Sequence, residues 1–250
     1  MTLLFLLALG AMGFTMKLFA LLLPARGART GWRFILSPLV SPSSMQRTRP
    51  VVGAGRLLGQ TSLYVAMLVP AYLGYWWLLK RFDPPEWILA YPAALILLLL
   101  AETATALVPL VWLLTGDRLP PLFNHPALTR SLTEFWSARW NLWFSDWFRY
   151  AIFIRMKGKP LRALFTVFAV SGVMHEWVIN VPLYLVTGQS RFGTMMIYFL
   201  IQPIAMLFER RFLAKAPRMR IAFAWITVVG LVPLLINEGL LRALFLWREI

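Results

Sequence analysis

The chain has 250 residues, of which 60% are hydrophobic and only 14% are charged, against about 25% charged in an ordinary soluble domain. It contains no cysteine, which excludes a disulfide framework, a thiolate metal site and a cysteine nucleophile. The formal net charge of +15 would suit a nucleic-acid-binding protein, but the placement of the basic residues follows membrane topology, so no nucleic-acid partner is expected.

Six apolar runs are long enough to cross a bilayer. They predict spans at about residues 3–23, 57–79, 87–114, 163–186, 194–212 and 221–238. No long soluble stretch separates these runs, so we expect residues 1–250 to form one all-α domain, a polytopic membrane helix bundle. The first run lacks a basic leading region and is interpreted as a retained span rather than a signal peptide. Prolines within the spans predict kinks at Pro70, Pro92, Pro109, Pro182, Pro203 and Pro233.

Most basic residues lie in three stretches on alternate loops, 24–56, 115–162 and 210–220. Because cytoplasmic loops are enriched in Lys and Arg, these stretches are predicted to be cytoplasmic, and both termini are then predicted to lie outside. The remaining basic residues are Lys17, Lys80, Arg81, Arg191, Arg242 and Arg248, of which Lys17 lies within the first span. We expect a multi-pass protein of a bacterial inner membrane, or of the endoplasmic reticulum if the source is eukaryotic. Residues 37–50, rich in Pro and Ser, predict an irregular cytoplasmic loop.

Residues 131–154 are aromatic but interrupted by charged side chains, which predicts an interfacial amphipathic helix. Ser131 followed by Glu134 fits a capping box and places the helix start there. The tryptophans share one helical face and are interpreted as a belt toward lipid: Trp136, Trp140, Trp143 and Trp147. A lipid-facing belt does not account for Asn141, whose amide needs a hydrogen-bonding role among so many aromatic rings.

A basic cluster follows, with Gly158 and Pro160 breaking the helix before the fourth span. The cluster comprises Arg155, Lys157, Lys159 and Arg162. Two interpretations of this cluster are compatible with each other. These residues are ordinary anchors at the cytoplasmic surface, and a basic cluster beside a membrane pocket also attracts a phosphorylated, anionic substrate.

His175 and Glu176 lie near the centre of the fourth predicted span. Hydrocarbon offers no water to solvate them, so the pair predicts a functional site, although His175 could instead make only an interhelical hydrogen bond. Imidazole suits the role of general base near neutral pH. Glu176 is interpreted either as the structural partner of a basic residue or as part of the chemistry. Gly172, one turn before Glu176, would let another backbone or a substrate approach closely.

Glu102 is a second intramembrane carboxyl group, midway along the third predicted span. It could pair with His175, with Lys17 or with a substrate, or it could be a neutral acid hydrogen-bonded within the bundle. A metal site is not expected, because the chain has two histidines and His125 lies in a proline-rich loop without a metal-binding spacing. No serine-hydrolase elbow or phosphate-binding loop is present in the sequence.

Two strings form an ordered pair: EFWSARWNLWF at 134–144, and SGVMHE at 171–176. The pair resembles the membrane-bound O-acyltransferase superfamily, and within it the wax synthase-like branch, whose members carry FW-x-x-RWN followed by SG-x-x-HE. The matching positions are Phe135, Trp136, Arg139, Trp140 and Asn141, then Ser171, Gly172, His175 and Glu176. The resemblance covers about residues 115–190, and elsewhere it extends only to hydropathy.

The resemblance implies transfer of an acyl group from a coenzyme A thioester to a hydroxyl. His175 would match the family's catalytic histidine and Asn141 its second active-site residue. Acyl-CoA is the implied co-substrate, with no separate cofactor, and the acceptor would be a long-chain or other lipid-soluble alcohol drawn from the membrane. Substrate contacts are expected from Arg139, Trp140, Ser171, Glu176, Arg155, Lys157 and Lys159.

A proton-coupled transporter or channel is the alternative, with Glu102, His175 and Glu176 as an intramembrane relay. It explains buried titratable groups equally well, but it does not explain the Trp-rich helix or Asn141. The chain is short for the superfamily, so the acceptor is left open, as are the acyl chain length and the oligomeric state.

Overall fold

A computed structural model describes residues 1–23, 34, 37, 39–41, 53–113 and 119–248. All regular structure within these residues is helical, which confirms the predicted fold class. Arg26, Arg29, Arg33, Arg47, Arg49, Arg118 and most of the predicted loop 37–50 lie outside the described residues.

The described helices are numbered here in chain order. They are α1 (Thr2–Leu22), α2 (Ala54–Phe82), α3 (Glu86–Trp112), α4 (Leu132–Glu134), α5 (Leu142–Phe148), α6 (Pro160–His175), α7 (Val181–Thr187), α8 (Thr194–Phe212), α9 (Pro217–Gly230), α10 (Val232–Leu235) and α11 (Glu238–Ala243). Three π-helical turns interrupt them, at Phe135–Arg139, Arg149–Phe153 and Glu176–Asn180. The third turn joins α6 to α7, so that Pro160–Thr187 runs as one helical span.

Five helical stretches of the described chain are long and apolar enough to cross a membrane: Thr2–Leu22, Ala54–Phe82, Glu86–Trp112, Pro160–Thr187 and Pro217–Leu235. The predicted span at 194–212 forms α8, 19 residues long and with the predicted bounds. It falls short of the same composition because Glu209, Arg210 and Arg211 are charged. Pro70, Pro92, Pro109 and Pro203 lie inside continuous helices.

Ion pairs gather several helix ends on the face predicted to lie outside. They are Arg191 with Glu86 at 3.3 Å, Arg242 with Glu238 at 2.8 Å and Arg248 with Asp83 at 2.7 Å. Three of the basic residues predicted outside are therefore paired with carboxylates. The pairs of Arg191 and Arg248 tie the start of α3 and the loop after α2 to residues distant in sequence.

α6 and α8 pack most closely where Gly172 faces Met196. A Cβ atom at position 172 would lie 2.8 Å from Met196 Sδ and 3.2 Å from Met196 Cα, closer than a real side chain tolerates. The predicted close approach of a second backbone at Gly172 is therefore confirmed. The same pair of helices brings Phe199 of α8 against His175 of α6, with ring centroids 4.3 Å apart.

The prediction of one continuous helix over 131–154 is wrong. This stretch contains α4, two π-helical turns and α5. The helix is interrupted at Trp140 and Asn141, and Asn141 has a positive φ of 41°. The lipid-facing tryptophan belt is wrong for the same reason, because the break destroys the common helical face. Trp143 and Trp147 are buried, and their indole N–H groups donate to the carbonyls of Pro120 (3.1 Å) and Met16 (2.9 Å).

The predicted helix start at Ser131 is confirmed, but only half of the predicted capping box forms, because the Glu134 side chain accepts from the N–H of Arg130 rather than of Ser131. Ser131 Oγ accepts from the Glu134 N–H at 3.0 Å, and Glu134 Oε2 accepts from the Arg130 N–H at 2.7 Å. Glu134 also pairs with Arg139, at 2.6 Å. Burial alone raises the pKa of the Glu134 carboxyl, but the hydrogen bonds from Arg130 and Arg139 outweigh it, so the pKa is lowered.

A second carboxylate ties α4 to α8. Glu209, which is almost fully buried near the end of α8, accepts from the N–H groups of Leu132 (2.9 Å) and Thr133 (3.3 Å). These N–H groups begin a helix and have no partner within it. Arg220 at the start of α9 lies 3.8 Å from the same carboxylate. The start of the irregular stretch is thereby held to the bundle.

Replacement of Gly172 by valine is expected to separate α6 from α8 and to lower the melting temperature in detergent by roughly 5 °C or more, as overpacking costs about 1–3 kcal/mol. Gly74→Ala in α2 is the matched control, since nothing lies within 4 Å of its added Cβ and alanine favours helix. An unchanged melting temperature for Gly172→Val would contradict the packing described for this pair.

Acid is expected to remove the contribution of Glu134 to stability. Because its pKa is lowered in the folded chain, the ionised group stabilises the fold above its ordinary pKa, and this is lost as the pH falls through the lowered value. The melting temperature of the wild type should exceed that of Glu134→Gln near pH 7, and the gap should close below about pH 4. A gap that is independent of pH would refute this role.

Candidate active site

His175 is the last residue of α6, immediately before a π-helical turn. Its Nδ1 lies 2.7 Å from the carbonyl oxygen of Ser171. A carbonyl oxygen only accepts, so in the neutral ring Nδ1 carries the proton and Nε2 keeps its lone pair. No residue of the described chain forms a hydrogen bond with Nε2. The ring is therefore held in the tautomer that a general base requires.

Asn141 lies at the break before α5, in the left-handed backbone region at φ 41° and ψ 65°. Asparagine is among the few residues that tolerate this conformation. Its Oδ1 accepts from the Phe144 N–H at 3.4 Å and so caps α5. Within the described part of the chain, nothing accepts a hydrogen bond from its Nδ2 group, which is thus free to donate to a bound molecule.

Two cavities meet at these residues. The first has a volume of about 460 Å³ and the second about 330 Å³. The residues that line both are Trp136, Trp140, Asn141, Phe144, His175 and Phe199. The structure therefore brings the two predicted catalytic residues together at the boundary of two separate chambers.

The two cavities differ in chemistry. Besides the shared residues, the first is lined by Arg149, by apolar residues such as Leu164 and Met206, and by four hydroxyl side chains: Thr133, Ser137, Ser145 and Ser171. The second lies among α1, α3, α9 and α11, and apart from the shared residues its lining is almost wholly apolar, including Leu9, Leu97, Val229 and Leu240. One chamber can thus receive a partly polar molecule and the other a hydrocarbon.

Of the seven predicted substrate contacts, two line these cavities and five line neither. Ser171 lines the first cavity, and Trp140 lines both, stacked on Phe135 at a centroid distance of 5.5 Å. Arg139 lines neither. Its guanidinium pairs with Glu134 and donates to the carbonyl of Asn124 at 3.1 Å, so it holds the preceding loop against the helix break.

Glu176 does not line either cavity, and its oxygens are occupied. Oε1 accepts from the N–H groups of Gly193 (2.9 Å) and Met196 (3.1 Å) at the start of α8, and Oε2 accepts from Asn180 Nδ2 (2.5 Å). Of the two interpretations from the sequence, a structural role for Glu176 is the one its contacts favour, although its partners are N–H groups rather than a basic side chain.

The basic cluster lies apart from the cavities. Lys157 and Lys159 are in the loop before α6, and Arg155 donates to the carbonyl of Leu23 at 2.5 Å, which Tyr150 also contacts at 2.6 Å. These bonds satisfy a carbonyl at the end of α1, where no intrahelical donor remains. Arg149, on the turn before the cluster, is the basic side chain that lines the first cavity.

Glu102 lies apart from His175 as well. Its carboxyl hydrogen-bonds to the phenol of Tyr64 on α2. Lys17 donates instead to the carbonyl of Ser37. Of the four possibilities for Glu102, a hydrogen bond within the bundle is therefore the one observed, and Glu102 lines neither cavity.

Sequence reasoning missed Phe199 and Gln202 of α8. Phe199 packs on the imidazole, and the fully buried Gln202 accepts from the indole N–H of Trp136 at 3.0 Å. The available signal for Gln202 was a polar amide within an apolar run. His175 was selected because it is a polar side chain in the same kind of position. Phe199 carries no such signal, because phenylalanine is ordinary in a membrane helix.

Comparison with known proteins identifies the central part of the chain. Residues 119–201 match the Membrane bound O-acyl transferase family. A probable long-chain-alcohol O-fatty-acyltransferase 6 of Arabidopsis thaliana is 33% identical over 127 residues, covering 46% of this chain and 34% of that protein. The long-chain-alcohol O-fatty-acyltransferase of Simmondsia chinensis is 37% identical over 71 residues, covering 24% and 20%.

An acyl-CoA–sterol O-acyltransferase 1 of Arabidopsis thaliana is 33% identical over 90 residues, covering 32% of this chain and 25% of that protein. The chain thus spans between a fifth and about a third of the length of these curated relatives. The matched residues 119–201 include both Asn141 and His175. The resemblance predicted from the two motifs is confirmed over residues 119–201, which are similar to the Membrane bound O-acyl transferase family and contain the region of both motifs.

Proposed function

We propose that this protein is a membrane-embedded O-acyltransferase that moves a fatty acyl group from acyl-CoA to the hydroxyl of a lipid-soluble alcohol. The observation that carries the proposal is the position of His175 and Asn141, each with an uncommitted nitrogen, at the boundary of two cavities of different polarity. A two-substrate reaction needs such a boundary, where the reacting atoms meet and the rest of each substrate stays apart.

Acyl-CoA is assigned to the first cavity. Its phosphates and pantetheine are polar, and the first cavity offers hydroxyl groups and the Arg149 guanidinium. Arg149 precedes the predicted cytoplasmic cluster at 155–162, whose charge would raise the local concentration of an anionic thioester. The long-chain alcohol is assigned to the second cavity, whose lining is apolar and lies within the bundle.

His175 Nε2 would take the proton of the alcohol hydroxyl while the oxygen attacks the thioester carbonyl carbon. The carbonyl oxygen becomes an oxyanion, to which Asn141 Nδ2 would donate a hydrogen bond. Collapse of the intermediate breaks the carbon–sulfur bond, and the leaving thiolate takes the proton back from the imidazolium. The products are an ester and free coenzyme A. Exclusion of water by the surrounding aromatic side chains would limit hydrolysis of the thioester.

Two features of the relatives support this choice of substrates. Long-chain alcohols and acyl-CoA with a sterol are the substrates in their names, and six of the nine motif residues that carry the likeness line the cavities: Phe135, Trp136, Trp140, Asn141, Ser171 and His175. The transporter alternative gains no support from the contacts of the described residues, because Glu102 bonds to Tyr64 and Glu176 to N–H groups, and neither hydrogen-bonds to His175. A bacterial inner membrane remains the predicted location.

Loss of either catalytic group should abolish most ester synthesis. With purified protein, radiolabelled palmitoyl-CoA and hexadecanol, His175→Ala is expected to lower kcat by about 10²–10⁴-fold, and Asn141→Asp by about 10²–10³-fold. Asn141→Asp keeps the acceptor that caps α5 but removes the amide donor, and Asn141→Gly removes the side chain while preserving the left-handed backbone. Thin-layer separation of the labelled ester measures the product.

His125→Asn is the matched control, since it changes the chain's other histidine, which lines neither cavity, to a residue that tolerates its backbone at φ 44°. It should retain activity. Equal ester formation by the wild type, His175→Ala and Asn141→Asp would refute the proposed site. Absence of ester with any alcohol or sterol, together with His175-dependent proton or solute flux in liposomes, would favour a transporter.

Filling one cavity at a time should separate the two substrates. Leu164→Trp narrows the first cavity and is expected to raise KM for palmitoyl-CoA several-fold, while Leu97→Trp narrows the second and should raise KM for hexadecanol. Steady-state kinetics with each substrate varied in turn measures both constants. If each variant raised the KM of the other substrate, the assignment of the chambers would be reversed.

A further inference from the structure

A chain of polar side chains runs from the residue next to His175 to the last helix of the described structure. It consists of Glu176, Asn180 and Asn237, which are 8%, 0% and 3% exposed. Asn180 Nδ2 donates to Glu176 Oε2 at 2.5 Å, and Asn237 Nδ2 donates to Asn180 Oδ1 at 2.8 Å. Buried groups of this kind must satisfy one another, because water cannot replace a lost partner.

The direction of this chain is set at both ends. Glu176 has only acceptor atoms when ionised, so the amide facing it must donate. At the other end, Asn237 Oδ1 accepts from the N–H groups of Gly239 (3.0 Å) and Leu240 (3.4 Å), which can only donate. Neither asparagine can therefore turn its amide over without placing two donors or two acceptors against each other.

Close packing accompanies the hydrogen bonds. A Cβ atom at Gly239 would lie 3.0 Å from Ile179 Cγ2 and 3.2 Å from the Ile179 carbonyl oxygen. The start of α11 is thus pressed against the π-helical turn Glu176–Asn180. Ile179 on that turn and Leu240 on α11 both line the second cavity. The hydrogen bonds among Glu176, Asn180 and Asn237 therefore fix the distance between these two walls of the second cavity, close to His175.

We propose that Asn180 and Asn237 are positioning residues for the second cavity, where the alcohol acceptor binds. Through their hydrogen bonds to the Glu176 carboxylate, they hold the wall of this cavity at a fixed position relative to His175. Neither asparagine lines either of the two cavities described, so each acts through the wall rather than on the substrate. The assignment of the alcohol to this cavity rests on the proposed function. The polarity of the chain makes the proposal testable by exchanging donor and acceptor within it.

The exchange compares Glu176→Gln, Asn180→Asp and the double variant. Glu176→Gln places an amide N–H₂ donor against the N–H₂ donor of Asn180, and Asn180→Asp places two carboxylate acceptors together. Each single variant therefore breaks the hydrogen bond between positions 176 and 180. In the double variant the new amide donates to the new carboxylate, which also accepts from Asn237 Nδ2. The double variant loses the 3.2 Å hydrogen bond from Asn180 Nδ2 to the Arg191 carbonyl and places a carboxylate oxygen against that carbonyl, so partial rather than full recovery is expected.

Two measurements follow the exchange. Each single variant should melt roughly 5 °C or more below the wild type, as expected for an unsatisfied buried group, and should raise KM for hexadecanol several-fold with KM for palmitoyl-CoA unchanged. The double variant should recover at least half of both losses, a coupling that independent sites do not show. If Asn180→Asp alone yields no folded protein, recovery of folded protein in the double variant supports the proposal, and no recovery overturns it.

Glu238→Gln is the matched control. Glu238 is a buried carboxylate beside Asn237 that pairs with Arg242, and it does not belong to the hydrogen-bonded series Glu176–Asn180–Asn237. Combined with Asn180→Asp, it should rescue nothing. Additive losses in the Glu176→Gln/Asn180→Asp double variant would overturn the proposal, as would equal changes in KM for both substrates.

Failure of the proposed function itself would look different. Stabilisation of the His175→Ala protein by added hexadecanol, measured as a shift in melting temperature, reports alcohol binding without turnover. A wild type that makes no ester but shows this shift, with the shift lost in the single variants and recovered in the double variant, keeps the positioning role and refutes the acyl transfer. Loss of the shift in all variants, the double one included, overturns the positioning role.

Discussion

The Glu176 carboxylate is the interaction on which the arrangement of the site depends. A carboxylate within a membrane span is unfavourable unless each lone pair finds a donor, and here two N–H groups at the start of α8 and the amide of Asn180 supply them. Those N–H groups have no acceptor within their own helix. The carboxylate therefore gains donors, and the first N–H groups of α8 gain an acceptor. The requirement fixes where α8 begins relative to α6, and therefore where Phe199 meets the imidazole.

α8 then relates the two halves of the site. Near its start it packs on Gly172, at its middle Phe199 and Gln202 contact His175 and Trp136, and near its end Glu209 holds the first turn of α4. The His-bearing helix and the Asn-bearing stretch are distant in sequence but share this one rigid neighbour. The buried Glu209 at the end of α8 thus has a structural role, and together with Arg210 and Arg211 it makes this helix more charged than the five candidate spans.

Irregular backbone is concentrated where the two cavities meet. π-helical turns lie on either side of Asn141 and directly after His175, and such turns occur mostly at functional sites because they redirect side chains that a regular helix would aim elsewhere. Within a membrane they are tolerated only where the protein satisfies the freed backbone groups. Ser145 Oγ and Asn124 Nδ2 do so for the carbonyls of Trp136 and Ala138 in the first of these turns. Trp147, Tyr150 and Arg139 donate in addition to carbonyls of α1 and of the loop before α4. Several aromatic and basic residues of the motifs therefore support the site rather than contact a substrate.

The sequence by itself determined the all-helical membrane class, the bounds of most spans, the capping at Ser131 and the choice of His175 and Asn141. Each of these depends on local terms: hydropathy over one helix length, a side chain that caps its own turn, or the cost of one polar group in hydrocarbon. Only the tertiary structure decided that the Trp-rich stretch breaks at Asn141, that Glu176 caps α8, that Arg139 and Arg155 bind backbone carbonyls, and that two cavities share His175. Those outcomes depend on which donors and acceptors from distant segments meet, and a helical period carries no information about that.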